Sequence, residues 1–134
     1  MHDPDAFRRA AEARDTGALR AALAPGVVFN SPVMTGPYEG REAVAERLRA
    51  VGEVFEDLRY TDELDSWSAA ARLRSRALLF EARASDKALQ GMDVLRFDRS
   101  GLVAELTVLV RPLPAAMTLA RLVGARLTTD GVTP

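Results

Sequence analysis

The chain predicts an α+β domain, with helices gathered in its first half and an antiparallel sheet filling most of its second. Three observations carry this. Val44, Leu48, Val51 and Phe55 recur at i, i+4, i+7 and i+11, which is helical spacing. After residue 57 the apolar residues change to a period of two, as in strands. Ser85-Asp86-Lys87 and Arg99-Ser100-Gly101 then divide that half at turn signals. At 134 residues the chain is expected to be one domain, 1–134, with a core over about 6–127 and a loose polar tail over 128–134.

Each element has its own signal. Asp3-Pro4 reads as an N-cap followed by proline at the first helical position, and Phe7, Ala10, Ala11 and Arg14 follow at helical spacing. Asp15-Thr16-Gly17 interrupts, residues 18–23 form a second short helix, and Pro25-Gly26 stops it. Residues 27–31, Val-Val-Phe-Asn-Ser, are β-branched and aromatic and close at Pro32, hence a strand. A loop over 33–39 leads to the helix opened by Gly40. Strands follow at 57–66, 71–84, 89–98 and 102–111. Leu58, Tyr60 and Leu64 share one parity of the first of these. Pro112 and Pro114 end the last strand, and residues 115–127 make a closing helix. A curved sheet with helices on its concave face leaves a cone that can hold a small ligand.

Composition excludes more than it admits. With 48% hydrophobic and 28% charged residues the chain is ordinary globular material. It contains no cysteine, so disulfides, thiolate metal sites and cysteine nucleophiles are absent. His2, at the terminus, is the single histidine, which removes histidine-based triads and metal sites. No metal and no cofactor are expected. The net charge of −1 and a pI near 5.9 give no global field favouring nucleic acid or an anionic membrane. No apolar run approaches the roughly 20 residues of a membrane span, the N-terminus is charged rather than signal-like, and a cytoplasmic location is expected. Lys87 is the single lysine, and Arg72, Arg74 and Arg76 recur at period two, a pattern read as a solvated or partner-facing stripe.

Two stretches carry a resemblance that spans roughly residues 6–127. One is Val27-Val28-Phe29-Asn30-Ser31-Pro32-Val33 with Tyr38-Glu39-Gly40-Arg41-Glu42-Ala43-Val44; the other runs from Met92-Asp93-Val94-Leu95-Arg96-Phe97 through Asp98-Arg99-Ser100-Gly101-Leu102-Val103. The chain resembles the nuclear transport factor 2-like superfamily, and within it the SnoaL-like group that also holds ketosteroid isomerases, limonene epoxide hydrolases and polyketide cyclases. The resemblance implies a cystatin-like cone, with a curved antiparallel sheet wrapped around N-terminal helices and a C-terminal helix.

It also tests the family chemistries position by position. Ketosteroid isomerases place a general-base aspartate before the proline that ends the short strand, and here that residue is Ser31. Their oxyanion-hole tyrosine on the first helix falls near Phe7. Their other oxyanion donor, a carboxylic acid kept neutral, corresponds to Asp93. Limonene epoxide hydrolases have an arginine where this chain has Gly91 and a second aspartate on the last strand, where Glu105 is the one acid of residues 102–110. SnoaL-type cyclases use a last-strand carboxylate that is missing from residues 106–110.

The resemblance turns Asp93 towards the cone with Gly91, Leu95 and Phe97, and turns Leu106, Val108 and Val110, with Val27, Phe29 and Ser31, the same way. The candidate catalytic residue is Asp93, as acid or oxyanion donor; the candidate substrate-binding residues are Phe7, Phe29, Ser31, Leu106, Val108 and Val110. In such an apolar setting Asp93 should have a raised pKa unless a cation or several donors reach it. It could equally be a structural acid bonded to Tyr38, Tyr60 or Trp67, and Ser31 could cap the turn at Pro32. Two functions stay open: binding of an apolar small molecule with acid-assisted isomerase, cyclase or dehydratase chemistry, or a non-catalytic dimeric ligand-binding or protein-interaction module. A cavity above ~300 Å³ reaching Asp93 would favour the first. A homodimer is expected through the outer sheet face, read as carrying Arg72, Arg74, Arg76, Leu78, Phe80 and Leu109.

Overall fold

The computed structural model describes residues 2–68 and 73–132. Its order is α1 (Ala6–Ala13), α2 (Thr16–Ala21), β1 (Leu23–Asn30), β2 (Tyr38–Glu39), α3 (Arg41–Val54), β3 (Phe55–Ser68), β4 (Leu73–Ala84), β5 (Lys87–Phe97), β6 (Val103–Arg111) and α4 (Leu113–Thr129). One curved, unclosed sheet of six strands runs β2-β1-β6-β5-β4-β3. All neighbours are antiparallel except β1 and β6, which are parallel. The helices cover one face, and the core lies between them and the sheet.

The N-terminal boundaries differ from the sequence reading. α1 starts at Ala6 with Asp5 as its N-cap, because Asp3 instead bonds the Asp5 amide at 2.8 Å. It ends at Arg14 in the left-handed region, and Asp15 then caps α2 by accepting from the Ala18 amide at 3.0 Å. Pro25-Gly26 does not stop a helix. The strand already begins at fully buried Leu23, and Pro25 and Gly26 sit in the register break between Leu23 and Val28. In α3, Val44, Leu48 and Val54 face the core, but Phe55 opens β3 rather than ending the helix. In α4, Ala115, Leu119, Val123 and Leu127 form the buried stripe at i, i+4, i+8 and i+12, and the helix continues through Thr129, into the segment read as tail.

Two face assignments are corrected. β3 carries register shifts between Glu56 and Arg59 and between Tyr60 and Asp62. Each shift exchanges the faces of the residues beyond it. Tyr60 therefore stands beside Phe80 on the core side, while Leu64 pairs with Ala77 and is exposed. In β4 the even-numbered residues face inward: Arg76, Leu78 and Phe80 are buried, so they form no outer stripe. Arg74 is exposed and Arg72 lies outside the described residues. Both parities of β4 are apolar in sequence, and the larger side chains fill the core.

Candidate active site

A cavity of about 120 Å³ lies between the helices and the sheet. Phe7 and Ala10 of α1 and Leu48 and Val51 of α3 form one wall, and Phe29, Leu106 and Val108 form the other. Register explains the second wall: Phe29 pairs with Leu106, and Val108 pairs with Asp93. Phe55, Phe80 and Tyr60 close the β3–β4 side, with Phe80 5.5 Å from the Phe55 ring and edge-on to Tyr60 at 6.1 Å. Arg14, Asp15, Thr16 and Glu53 are exposed and rim the cavity where it meets solvent.

Asp93 is its acidic group. It is only 7% exposed and stands between Leu78 on β4 and Val108 on β6. Among the described residues one side chain reaches it: the Tyr60 hydroxyl donates to Asp93 Oδ2 at 2.9 Å. Burial pushes the carboxyl up to about 7, and the Tyr60 hydrogen bond opposes that only in part. Burial first, and then the charge of Asp93, push the Tyr60 hydroxyl above its ordinary value, so it remains a donor. Arg8 lies over the Tyr60 ring at 5.5 Å, with Glu12 and Glu63 as its ion-pair partners. A carboxyl near 7 is available as either acid or base at neutral pH.

Asp93, Phe7, Phe29, Leu106 and Val108 thus line one cavity. Ser31 and Val110 do not. Ser31 Oγ accepts from the Val33 and Met34 amides at 3.2 and 3.1 Å, so it holds the turn after Pro32. Val110 pairs with Gly91 further along the sheet. The cavity reaches Asp93 but is smaller than the ~300 Å³ set above as favouring ligand binding, and it leaves room only for a compact ligand. Among the cavity residues the sequence reading did not place there, including Leu48, Val51, Phe55 and Phe80, Tyr60 is the polar one that bonds Asp93, named earlier only among that acid's possible partners. Gly91 leaves no room for the arginine that limonene epoxide hydrolases carry at this position. A Cβ there would lie 2.2 Å from Phe80 Cζ and 2.8 Å from the Leu109 carbonyl oxygen.

Among the described residues, no group of three or more acidic or histidine side chains is placed to hold a metal ion. Among the same residues, no helix is long and apolar enough to cross a membrane.

A comparison with curated proteins yields no match. Solved structures are similar throughout. An uncharacterized protein conserved in bacteria, with a cystatin-like fold, from Silicibacter pomeroyi DSS-3 is 26% identical, with 98% of this chain and 89% of that one covered and a TM-score of 0.88. A steroid delta-isomerase from Pseudomonas aeruginosa is 35% identical, with 92% and 88% covered and a TM-score of 0.82. A candidate polyketide cyclase from Pseudomonas putida KT2440 shares the fold at 15% identity and a TM-score of 0.62, with 83% and 90% covered. The model of the SnoaL-like domain matches residues 5–106. The chain belongs to the SnoaL-like family.

Proposed function

We propose that this protein binds a small, mainly apolar molecule through one carbonyl or hydroxyl oxygen, and that Asp93 assists an isomerisation, cyclisation or dehydration at that oxygen. The observation that carries the reading is the placement of Asp93, with Tyr60 as its one side-chain partner among the described residues, in the apolar interior of the cavity. A protonated Asp93 donates to a carbonyl oxygen and stabilises negative charge that builds there, or protonates a departing hydroxyl. The volume is near the ~150 Å³ that takes a single six-membered ring, so a four-ring nucleus does not fit within it. The 35%-identical steroid delta-isomerase supports the reaction class rather than the substrate size.

A second reading, a ligand-binding module without turnover, is favoured by Ser31. Its hydroxyl is committed to the turn, and no carboxylate stands where the family places its base. Cyclohexanone, titrated into the wild type and Asp93→Leu by calorimetry, tests the binding common to both. The wild type should bind at least about tenfold more tightly, and equal affinities would refute the site. Conversion of 3-cyclohexenone to 2-cyclohexenone then separates enzyme from module.

We also propose a homodimer through the outer sheet face, where Leu64 and Leu109 are 60% and 52% exposed beside Leu79, Met92 and Val94. Light scattering should give twice 14.5 kDa. Leu109→Glu should lower the mass towards one chain, and a monomeric wild type at micromolar concentration would contradict the pairing.

A further inference from the structure

The cavity has a charged mouth as well as an acidic interior, and its two cations differ. Arg49 is saturated, with Glu46, Glu53 and Asp130 all within 3.0 Å of its guanidinium. Arg14 has no carboxylate within ion-pair distance among the described residues. Its Nη2 donates to the Phe55 carbonyl oxygen at 2.7 Å, which ties the end of α1 to the start of β3 across the opening. The other donors of that guanidinium fork have no protein acceptor among the described residues. The acids around it are occupied: Asp15 caps α2, Glu53 pairs with Arg49 and Arg126, and Asp57 pairs with Arg83.

The backbone at Arg14 is a second and independent sign. Its φ of 53° is left-handed, a conformation that glycine or asparagine usually supplies at a helix end. A long cationic side chain held there at a conformational cost is the kind of outlier that accompanies a binding role. The chemistry selects the anion. A planar fork matches a carboxylate or a phosphate in two parallel hydrogen bonds, and with a single arginine and no glycine-rich amide cradle in the sequence the singly charged carboxylate is the better fit.

We propose that the ligand is a compact carboxylic acid as well as a ketone or alcohol, with its carboxylate on Arg14 at the mouth and its other oxygen on Asp93 inside. This rests on the proposed role of Asp93 and narrows it to one substrate class. A molecule in which one ring separates the acid from the ketone carries both groups at a size close to what the cavity takes.

Cyclohexanone and 4-oxocyclohexanecarboxylate form the matched probe pair, titrated by calorimetry into the wild type, Arg14→Gly and Arg14→Lys. The wild type should prefer the acid by roughly tenfold, as one charge-assisted contact at a partly solvated site allows. In Arg14→Gly the preference should fall to about one, while the melting temperature stays close to that of the wild type because the relief of the left-handed backbone offsets the lost hydrogen bond to Phe55. Arg14→Lys should keep part of the preference. A wild type that binds cyclohexanone but favours neither probe would overturn the assignment, as would a preference that survives in Arg14→Gly. If neither probe binds the wild type, the underlying reading of Asp93 fails and this one with it.

Discussion

Among the described residues, Arg76 and Asp93 are buried in this core to nearly the same degree, at 6% and 7% exposure, and their surroundings are opposite. Arg76 sits in a carboxylate cage. Its Nε donates to Asp65 at 2.7 Å, its Nη1 reaches Asp5 and Glu63, and the Pro4 carbonyl oxygen lies at 3.3 Å. Asp65 and Asp5 are themselves half exposed, so the cluster keeps its hydration on the acid side. The Asp65 hydrogen bond, more than any other cause, holds the Arg76 guanidinium firmly protonated, and the arginine anchors the start of α1 to β3 and β4. Among the described residues Asp93 has one neutral side-chain donor and no cation partner, and its carboxyl rises to about 7. Burial alone therefore does not mark a site. Burial without compensation does.

The largest expected effect comes from removing the uncompensated group. The native state holds a proton on Asp93 that the unfolded chain has already lost between about pH 4 and 7, so wild-type stability should fall as pH rises through that window. Asp93→Leu lacks this slope. Its stability relative to the wild type should improve by on the order of 4 kcal/mol from pH 4 to 8, starting slightly negative because Tyr60 loses its acceptor. Parallel denaturation curves across that range would erase the contrast with Arg76.

The apolar side of the comparison can be disturbed without touching a charge. Gly91→Ala would force a methyl group into the Phe80 ring and against the Leu109 carbonyl, and should cost on the order of 3 kcal/mol in urea melts. Arg76→Ala should cost about 2 kcal/mol near pH 7, because it strands acids that water partly solvates. That loss should shrink as pH drops through the carboxylate range, since Arg76 depresses Asp65 and the pairing is lost when the acid is protonated. Tyr60→Phe is the mildest change, within about 1 kcal/mol, and should raise the Asp93 pKa further by removing its donor.

Sequence periodicity located α3, the long strands and the hairpin at Gly101, whose φ of 94° is the left-handed turn geometry expected there. Asp93, Phe7 and Phe29 were legible through the family resemblance, and Leu106 and Val108 kept the faces it implies because β5 and β6 pair without interruption from Gln90 to Arg96. The faces of β3 and β4 were not. Two bulges in β3 exchange its parities, and a strand apolar on both sides does not announce which side is wet. Tyr60 was hidden for the same reason: its place beside Phe80 depends on a register that local pattern does not encode. Arg76 was misplaced because its acids come from a helix start and a neighbouring strand, 71 and 11 residues away in sequence.

Whether Asp93 is buried without compensation can be read from its own titration by nuclear magnetic resonance. Aspartate labelled with ¹³C at the side-chain carboxyl, with the Asp93 signal assigned by its loss in Asp93→Leu, can be followed from about pH 3 to 9 in the folded protein. An uncompensated carboxyl should titrate with a midpoint near 7. A midpoint at or below the ~3.9 of a free aspartate would show the charge compensated as fully as that of Arg76, and would contradict the assignment of this residue as the site's acid.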